Sequence, residues 1–429
     1  MARVTRAPET SDERDRRLLA WLGAGLLAGG VPTHEVEDDV QEIARTLGHP
    51  GAQVACLPTG VTVTLAAGRP STVERVEGGL RLDQLSDITV VAAGLRTGAI
   101  TADLALQRLT TLRADPHRYA VPGLFAGGVL SGIGIALVLA PAWPSVVFAG
   151  LLAPVTVLLM LLSARGRTAR TMMPFLAAFL IGLVAFGAAQ LGWIDAPLWT
   201  LIAPLAVILP GATIVTGLTE LGAGAMVGGT GRLAHGTMQM LLFALGVAGV
   251  VALLRLPPEH LDPARPVELG WWAPLLGVLI VTVAIALLES LSWRILPWLV
   301  LTILATYLAQ LAGTHLLGSR WAGGFLGALA AMLVASLVEF LRPHIPRIIA
   351  FMPSFWLLVP GSVGLVSVSQ IDVGLDAAAA AIVNTTVVIV ALSLGVMVGS
   401  SLAQPLRKVA RRVGLSHLLS PLRRGAWRD

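Results

Sequence analysis

The chain has 429 residues, of which 55% are hydrophobic and only 13% are charged. Soluble globular domains carry about one quarter charged residues, so this composition excludes an ordinary soluble protein and indicates a protein of the lipid bilayer. The formal net charge is +5, but the basic residues are mostly arginines beside apolar runs, where they set membrane orientation. Nucleic-acid binding is therefore not expected.

The N-terminal part differs in composition from the rest. Residues 1–17 are highly charged and lack the apolar core of a secretory signal, so we predict a disordered segment that starts in the cytoplasm. Residues 18–118 predict a cytoplasmic α+β domain. Its expected elements are helices at 21–28, 33–48, 82–96 and 101–113 and strands at 54–57, 61–65 and 72–76.

Four residues of this domain carry specific expectations. Thr33 is expected to cap the second helix with its side chain. His34 and Glu35 are expected at the surface. Cys56, the single cysteine, is expected to be a small buried hydrophobe without redox chemistry.

Ten later stretches meet the requirement of about twenty mostly apolar residues for a membrane-spanning helix. They divide into a first membrane half at 119–254, an extracytoplasmic loop at 255–270, a second half at 271–404 and a basic cytoplasmic tail at 405–429. The predicted spans are 121–140, 145–163, 172–193, 198–217, 234–254, 271–289, 295–317, 321–340, 347–366 and 377–403.

Charge alternates between the gaps that separate these spans. The gaps after spans two and eight and the tail contain arginines, whereas the gaps after spans one, three, five and nine are neutral or acidic. Positive gaps face the cytoplasm, which predicts that the N- and C-termini are both cytoplasmic. The expected fold class is therefore an α-helical multi-pass membrane protein with a small α+β domain in front.

Two Pro-Gly pairs suggest an internal repeat. Pro210-Gly211 lies late in span four and Pro360-Gly361 late in span nine, 150 residues further on. Five spans per half give the halves opposite orientations, as in the inverted repeats of secondary transporters, which bind substrate where helices are interrupted. The alternative is coincidence, because the chain has 26 prolines and 46 glycines.

The segment from Pro210 to Arg232 combines a helix break with hydroxyls, one acid and one base. A break exposes backbone groups that an amino-acid substrate can satisfy, and Thr213 or Thr216 can bind a substrate hydroxyl. Glu220 is either a functional residue, as an ammonium partner or a proton carrier, or a loop charge near Arg232, and both interpretations stay open.

Polar residues also interrupt spans five and ten. His235 is a candidate for proton coupling because histidine titrates near neutral pH, and Asn384 and Thr385 occupy the repeat-related position. The alternative is hydrogen bonding between helices. The sequence contains no spacing typical of a metal site, a catalytic nucleophile or a phosphate loop, so we expect no enzyme activity, no cofactor and no metal.

Three segments carry a family resemblance: residues 22–48, with a helix-Gly-helix pattern; residues 210–232, PGATIVTGLTELGAGAMVGGTGR; and residues 359–364, VPGSVG. With these segments the chain resembles the threonine/serine exporter family over almost its whole length. The resemblance implies ten spans, two parts and export of threonine and serine driven by protons. It carries over seven motif positions: Pro210, Gly211, Glu220, Gly228, Arg232, Pro360 and Gly361.

We therefore expect a proton-coupled antiporter of the bacterial inner membrane that exports small hydroxy amino acids. Its partners would be the amino-acid substrate, protons and the bilayer, and homo-oligomerisation stays open. The alternatives are a membrane-anchored sensor whose soluble domain binds a ligand or partner, and an exporter of other small organic acids. The predicted substrate site comprises Pro210, Gly211, Thr213, Thr216, Pro360, Gly361, Asn384 and Thr385, with Glu220 and His235 for proton coupling and Gly228 and Arg232 as motif positions.

Overall fold

A computed structural model describes residues 10–139, 142–257, 269–342, 345–358 and 375–413. The described chain is mostly helical, with one small sheet near the N-terminus. Its elements are α1 (Ser11–Ala28), α2 (Thr33–Thr46), β1 (Gln53–Leu57), β2 (Gly60–Thr64), β3 (Ser71–Arg75), α3 (Leu82–Arg96), α4 (Ala102–Leu112), α5 (Ala120–Leu139), α6 (Trp143–Ser163), α7 (Arg167–Gln190), α8 (Pro197–Leu205), α9 (Gly211–Gly222), α10 (Met226–Leu254), α11 (Trp272–Leu288), α12 (Leu296–Leu316), α13 (Arg320–Leu341), α14 (Arg347–Phe351), α15 (Ser354–Leu358) and α16 (Leu375–Val413).

Helix α1 begins earlier than the apolar pattern alone suggests. The Thr10 side chain accepts a hydrogen bond from the Glu13 backbone at 3.3 Å, and the Glu13 carboxylate accepts one from the Thr10 backbone at 3.2 Å. This reciprocal capping box pairs two backbone donors that would otherwise lack partners. Residues 11–17, which the sequence predicted to be disordered, therefore belong to α1.

The three strands form an antiparallel sheet in the order β1-β2-β3, which matches the meander predicted from the alternating runs. Val61 and Val63 of β2 are buried, and the sheet packs against α1. Cys56 of β1 pairs with Val61 and is 7% exposed, whereas the next residue, Leu57, is 46% exposed. Successive strand residues point to opposite faces, which accounts for this difference.

We expect the Cys56 thiol to be inert in the folded protein. Burial, together with the nearby Glu37 charge, raises the pKa of this thiol to about 12. The thiolate, not the thiol, reacts with alkylating reagents. At pH 8 a thiol with this pKa is ionised to about one part in ten thousand. N-ethylmaleimide should therefore label the denatured chain completely while the native chain stays unlabelled.

A matched variant makes this prediction specific to position 56. Cys56→Ser combined with Leu57→Cys moves the thiol to the exposed face of the same strand, so the native double variant should label rapidly. Rapid labelling of native wild-type protein would show that Cys56 is accessible, contrary to the structure.

Seven helices of the described chain are long and apolar enough to cross a membrane. Two shorter apolar helical segments, Trp272–Leu288 and Arg347–Leu358, accompany them. The membrane class is thereby confirmed, but the count of ten full-length spans is not. The seven segments are Ala120–Leu139, Trp143–Ser163, Arg167–Gln190, Met226–Leu254, Trp293–Leu316, Arg320–Leu341 and Ile382–Gln404.

The predicted fourth span is two short helices rather than one. Helix α8 ends at Leu205 and α9 begins at Gly211, with Pro204 in the last turn of α8 and Pro210 at the N-cap of α9. Proline cannot donate the backbone hydrogen bond that continues a helix, so the chain turns between them. The freed Pro204 carbonyl accepts a hydrogen bond from the Thr156 hydroxyl at 3.0 Å, which satisfies it inside the protein.

Two pairs of long helices pack through a glycine that lies against the backbone of a phenylalanine on the other helix. A Cβ atom placed on Gly246 of α10 would lie 2.6 Å from the Phe175 carbonyl oxygen of α7. A Cβ atom on Gly395 of α16 would likewise clash with the Phe325 carbonyl oxygen of α13. The glycines are 149 residues apart and the phenylalanines 150, so two helix pairs with the same sequence offset pack through the same kind of contact.

The N-terminal region, α1 to α4 with the sheet, contacts the apolar helices at or next to three of their loops. These loops follow α9, α11 and α13. The Leu82 backbone N–H at the start of α3 donates to the Glu289 carboxylate at 3.0 Å, in the loop after α11. The Arg118 backbone N–H, between α4 and α5, donates to the Ser290 hydroxyl of the same loop at 2.9 Å. The contacts near the other two loops, through the start of α2, define the candidate site.

Candidate functional site

A cavity of about 310 Å³ lies where the first turn of α2 meets α9, α13, α14, α15 and α16. This volume is at the small end of the range for ligand pockets, about 300–1,000 Å³. Helix α9 comes from the first predicted membrane half and α13 to α16 from the second. The lining residues are Gly30, Pro32, His34, Glu35, Val215, Thr216, Thr219, Ala223, Met332, Arg347, Ile348, Phe351, Met352, Phe355, Val396, Met397, Ser400, Ser401 and Gln404.

The hydroxyl groups of the cavity wall lie on two helices, α9 and α16. Thr216 and Thr219 of α9 are 8% and 7% exposed, and the Thr219 hydroxyl donates to the Thr216 carbonyl at 2.8 Å. Ser400 and Ser401 are on the facing part of α16. Hydroxyls on opposite walls can donate to and accept from a small polar ligand.

One ion pair joins the N-terminal region to the cavity wall. The Arg347 guanidinium of α14 donates to the Glu35 carboxylate of α2, 312 residues away in sequence. The Arg347 side chain is 10% exposed and that of Glu35 is 25% exposed. The Ser400 hydroxyl lies 3.5 Å from a second guanidinium nitrogen. Glu35 is therefore a cavity residue, and the prediction of a surface position was wrong.

A second buried cluster, around Glu220 of α9, holds the same end of α2. One Glu220 carboxylate oxygen accepts a hydrogen bond from the Thr33 backbone N–H at 2.7 Å and lies 3.2 Å from Arg232 Nε. Arg232 also donates to the Val31 carbonyl at 3.2 Å. The Glu220 side chain is fully buried and that of Arg232 is 13% exposed.

Glu220 therefore supplies the N-terminal cap of α2 from another part of the chain. The helix starts after Pro32, and its cap position makes no side-chain hydrogen bond of its own. A carboxylate at a helix N-terminus is favourable because the unpaired backbone N–H groups carry partial positive charge there. The expectation that the Thr33 side chain caps α2 was wrong, since the Thr33 hydroxyl has no partner among the residues that the structure describes.

Gly228 leaves room for this cluster. A Cβ atom at this position would lie 2.8 Å from the Thr33 hydroxyl oxygen and 3.2 Å from the second Glu220 oxygen. That second oxygen is buried and has no hydrogen-bond partner within the described ranges. The motif positions Glu220, Gly228 and Arg232 thus meet at one point, against the N-terminal region.

The other predicted site residues are not brought to the cavity wall. Thr213 is half-buried on α9 and His235 is exposed on α10, and neither lines the cavity. Asn384 is exposed and Thr385 is buried. They precede the first cavity residue of α16 by about twelve residues, or roughly 18 Å along a helix. Pro210 and Gly211 form the start of α9.

Two predicted site residues are not among those that the structure describes. Pro360 and Gly361, with the Pro-Gly motif of the second half, lie outside the described residues. Most of the predicted extracytoplasmic loop at 255–270 is outside them too.

Comparison with known proteins identifies the family. A family model described as "Putative threonine/serine exporter" matches residues 17–254, more than half of the chain. The chain belongs to this family. The match to the threonine/serine exporter family includes α2, Glu220, Gly228 and Arg232, and it ends before Arg347. The resemblance inferred from the sequence is thereby confirmed.

One similar curated protein is "Pheromone-regulated membrane protein 10" of Pichia sorbitophila. It is 25% identical over 382 residues, which cover 85% of this chain and 37% of the relative. The chain thus spans well under half the length of that protein. No solved structure matches this member of the exporter family.

Proposed function

We propose that the chain is a secondary active exporter of small hydroxy amino acids, threonine and serine, that works by antiport with protons in a bacterial inner membrane. Family membership supports a membrane exporter. The observation that carries the finer proposal is the cavity between α9 and α13 to α16. It has the volume of a small-ligand site and is lined by hydroxyls on two helices and by His34, Glu35 and Arg347.

The chemistry of the cavity suits a zwitterion that also carries a hydroxyl. A cation is needed for the carboxylate, an anion or carbonyls for the ammonium, and hydroxyls for the side chain. Arg347, Thr216, Thr219 and Ser400 supply the first and third of these. The cavity volume of about 310 Å³, with Phe351 and Phe355 in the lining, favours small substrates.

An inverted repeat is part of the proposal. The matching glycine contacts of α7 with α10 and of α13 with α16, at an offset of about 150 residues, support two halves of similar build. Short helices also begin at corresponding places in the two halves, α8 at Pro197 and α14 at Arg347, 150 residues apart. In such transporters the substrate binds where interrupted helices face each other.

The arrangement of loops supports cytoplasmic termini. The N-terminal region contacts Glu220 near the end of α9, Glu289 just after α11 and Arg347 at the start of α14. These contacts support placing the loops after α9, α11 and α13 on one side of the protein. The arginine-rich gap near Arg342 and Arg347 is among them. Basic loops are retained on the cytoplasmic side, which would place the N-terminal region there.

Glu220 is the residue that we propose for proton coupling. As a carboxylate it attracts Arg232 and caps α2, and a proton on it removes the negative charge that both contacts use. Protonation would therefore loosen the start of α2 at the cavity. His235 remains a second proposed coupling residue, although it does not share this cluster.

Transport by purified protein in liposomes tests the proposal. Vesicles with an acidic lumen should accumulate labelled L-threonine and L-serine, because protons leaving the lumen drive amino-acid entry. An ionophore that removes the pH gradient should abolish accumulation. Excess unlabelled lactate tests the alternative of an organic-acid exporter and should not compete. If folded protein fails to accumulate either amino acid under the gradient, the proposed function is wrong.

A further inference from the structure

We infer that Arg347 binds the carboxylate of the transported amino acid and that Glu35 occupies the same guanidinium when the cavity is empty. Glu35 would then act as an internal competitor that closes the cavity with the N-terminal region. This inference rests on the proposed function and adds to it a residue for substrate selection and a means of regulation.

Arg347 has the properties of a carboxylate-binding residue. Its side chain is nine-tenths buried and lies in the cavity wall. A guanidinium carries five N–H donors in a planar fork that fits a carboxylate through two parallel hydrogen bonds. Besides Glu35, the contacts of this guanidinium within the described ranges are long ones, to the Ser400 hydroxyl at 3.5 Å and the Met332 sulfur at 3.6 Å. Part of its hydrogen-bonding capacity is therefore left for a ligand. The other acids whose charge reaches this group are Glu339 and Asp39.

Glu35 presents to Arg347 the same chemical group that an amino acid would present. It belongs to the first turn of α2, in the N-terminal region, and not to the apolar helices that form most of the cavity wall. A side chain from a separate part of the fold can withdraw without rebuilding the site. Substrate and Glu35 would therefore compete for one cation.

The start of α2 would respond to both substrate and protons. Glu220 caps this helix through Thr33, and Arg232 holds the preceding turn through Val31. Gly30, in the same turn, has a φ of +86° and lies against Met352 of the cavity wall. Substrate at Arg347 displaces Glu35, and a proton on Glu220 weakens the cap. The two events act on one short segment and can be linked through it.

The test measures exchange of labelled L-serine across liposomes that contain the full-length protein, with ethanolamine as inhibitor. Ethanolamine is serine without its carboxylate. Glu35→Gln removes the competing charge and should lower the half-saturating serine concentration about tenfold, since hydrogen bonds to charged groups are worth about that factor. Inhibition by ethanolamine should stay as in wild type. Asp38→Asn removes an equal charge from the exposed side of α2 and should change neither value.

The double variant Glu35→Gln with Arg347→Gln tests the cation without leaving an unpaired buried charge. It should fold, judged by size-exclusion chromatography and thermal midpoint. Its half-saturating serine concentration should rise at least about tenfold over that of Glu35→Gln, with serine losing its advantage over ethanolamine. If the double variant does not fold, Glu35→Gln decides: an about tenfold lower half-saturating serine concentration supports the inference, and an unchanged value overturns it.

The outcomes separate this inference from the proposed function. If wild-type protein exchanges serine and Glu35→Gln behaves like Asp38→Asn, the competitor role is wrong while the exporter stands. If the folded double variant still prefers serine to ethanolamine, Arg347 does not bind the carboxylate. If wild-type protein exchanges neither serine nor threonine, both proposals are wrong.

Discussion

The variant Glu220→Gln should lose proton-driven accumulation of threonine and serine down to the level of empty vesicles. Glutamine has the size of glutamate and keeps an oxygen that can accept the Thr33 N–H, but it carries no charge towards Arg232 and binds no proton. Exchange of labelled for unlabelled substrate without a gradient needs no net proton movement. We therefore expect exchange to survive at a measurable rate.

Two variants serve as controls for this result. Glu220→Asp keeps the titrating group on a shorter side chain and should retain part of the driven flux. Glu77→Gln removes an exposed acid of the N-terminal region and should transport like wild type. Undiminished driven flux in folded Glu220→Gln would remove Glu220 from the coupling. Loss of exchange together with a lower thermal midpoint would instead assign it a structural role.

Gly229→Ala should destabilise the protein by about 1–3 kcal/mol, the usual effect of overpacking a tight contact. A Cβ atom on Gly229 would lie 2.6 Å from the Gly217 carbonyl oxygen and 2.8 Å from the Leu221 backbone nitrogen. Both neighbours are backbone atoms of α9 and cannot turn away, so α9 and α10 must separate. Glu220 and Arg232 lie on these two helices, and we expect transport to fall along with the thermal midpoint.

Gly231→Ala is the matched control, two residues further along the same helix. Gly231 is exposed, and a Cβ atom there would only touch the Pro58 ring at 4.0 Å. Alanine favours a helix over glycine by up to about 1 kcal/mol, so this variant should be as stable as wild type or slightly more stable. Equal midpoints for the two alanine variants would contradict the close packing of α9 on α10.

Local patterns predicted much of the fold. Runs of apolar residues identified the long helices, and alternation identified the three strands within about one residue of their observed bounds. The prediction was least accurate where one local pattern is compatible with two different structures. Residues 198–217 have the composition of a span, but Pro204 and Pro210 divide them into two helices. A capping box at Thr10 similarly extended α1 into a segment whose charge had suggested disorder.

The candidate site was only half predictable for a different reason. Glu220 and Arg232 attracted attention because an acid and a base are rare beside a membrane helix. Glu35 and Arg347 did not, because an acid in the first turn of a helix and an arginine in a basic loop are both common in exposed positions. Their shared cavity appears only when residues 312 positions apart are brought together.

The amino-acid sequence alone was enough to show that this protein lies in a membrane, where most of its long apolar helices occur, and that it belongs to an exporter family. Those properties depend on composition and on short-range periodicity. The folded structure was needed to show that Glu220 caps α2 from 187 residues away and that the first turn of α2 lines the cavity. A hydrogen bond or ion pair between distant segments leaves no periodic pattern in either one, so it is decided by how the helices pack.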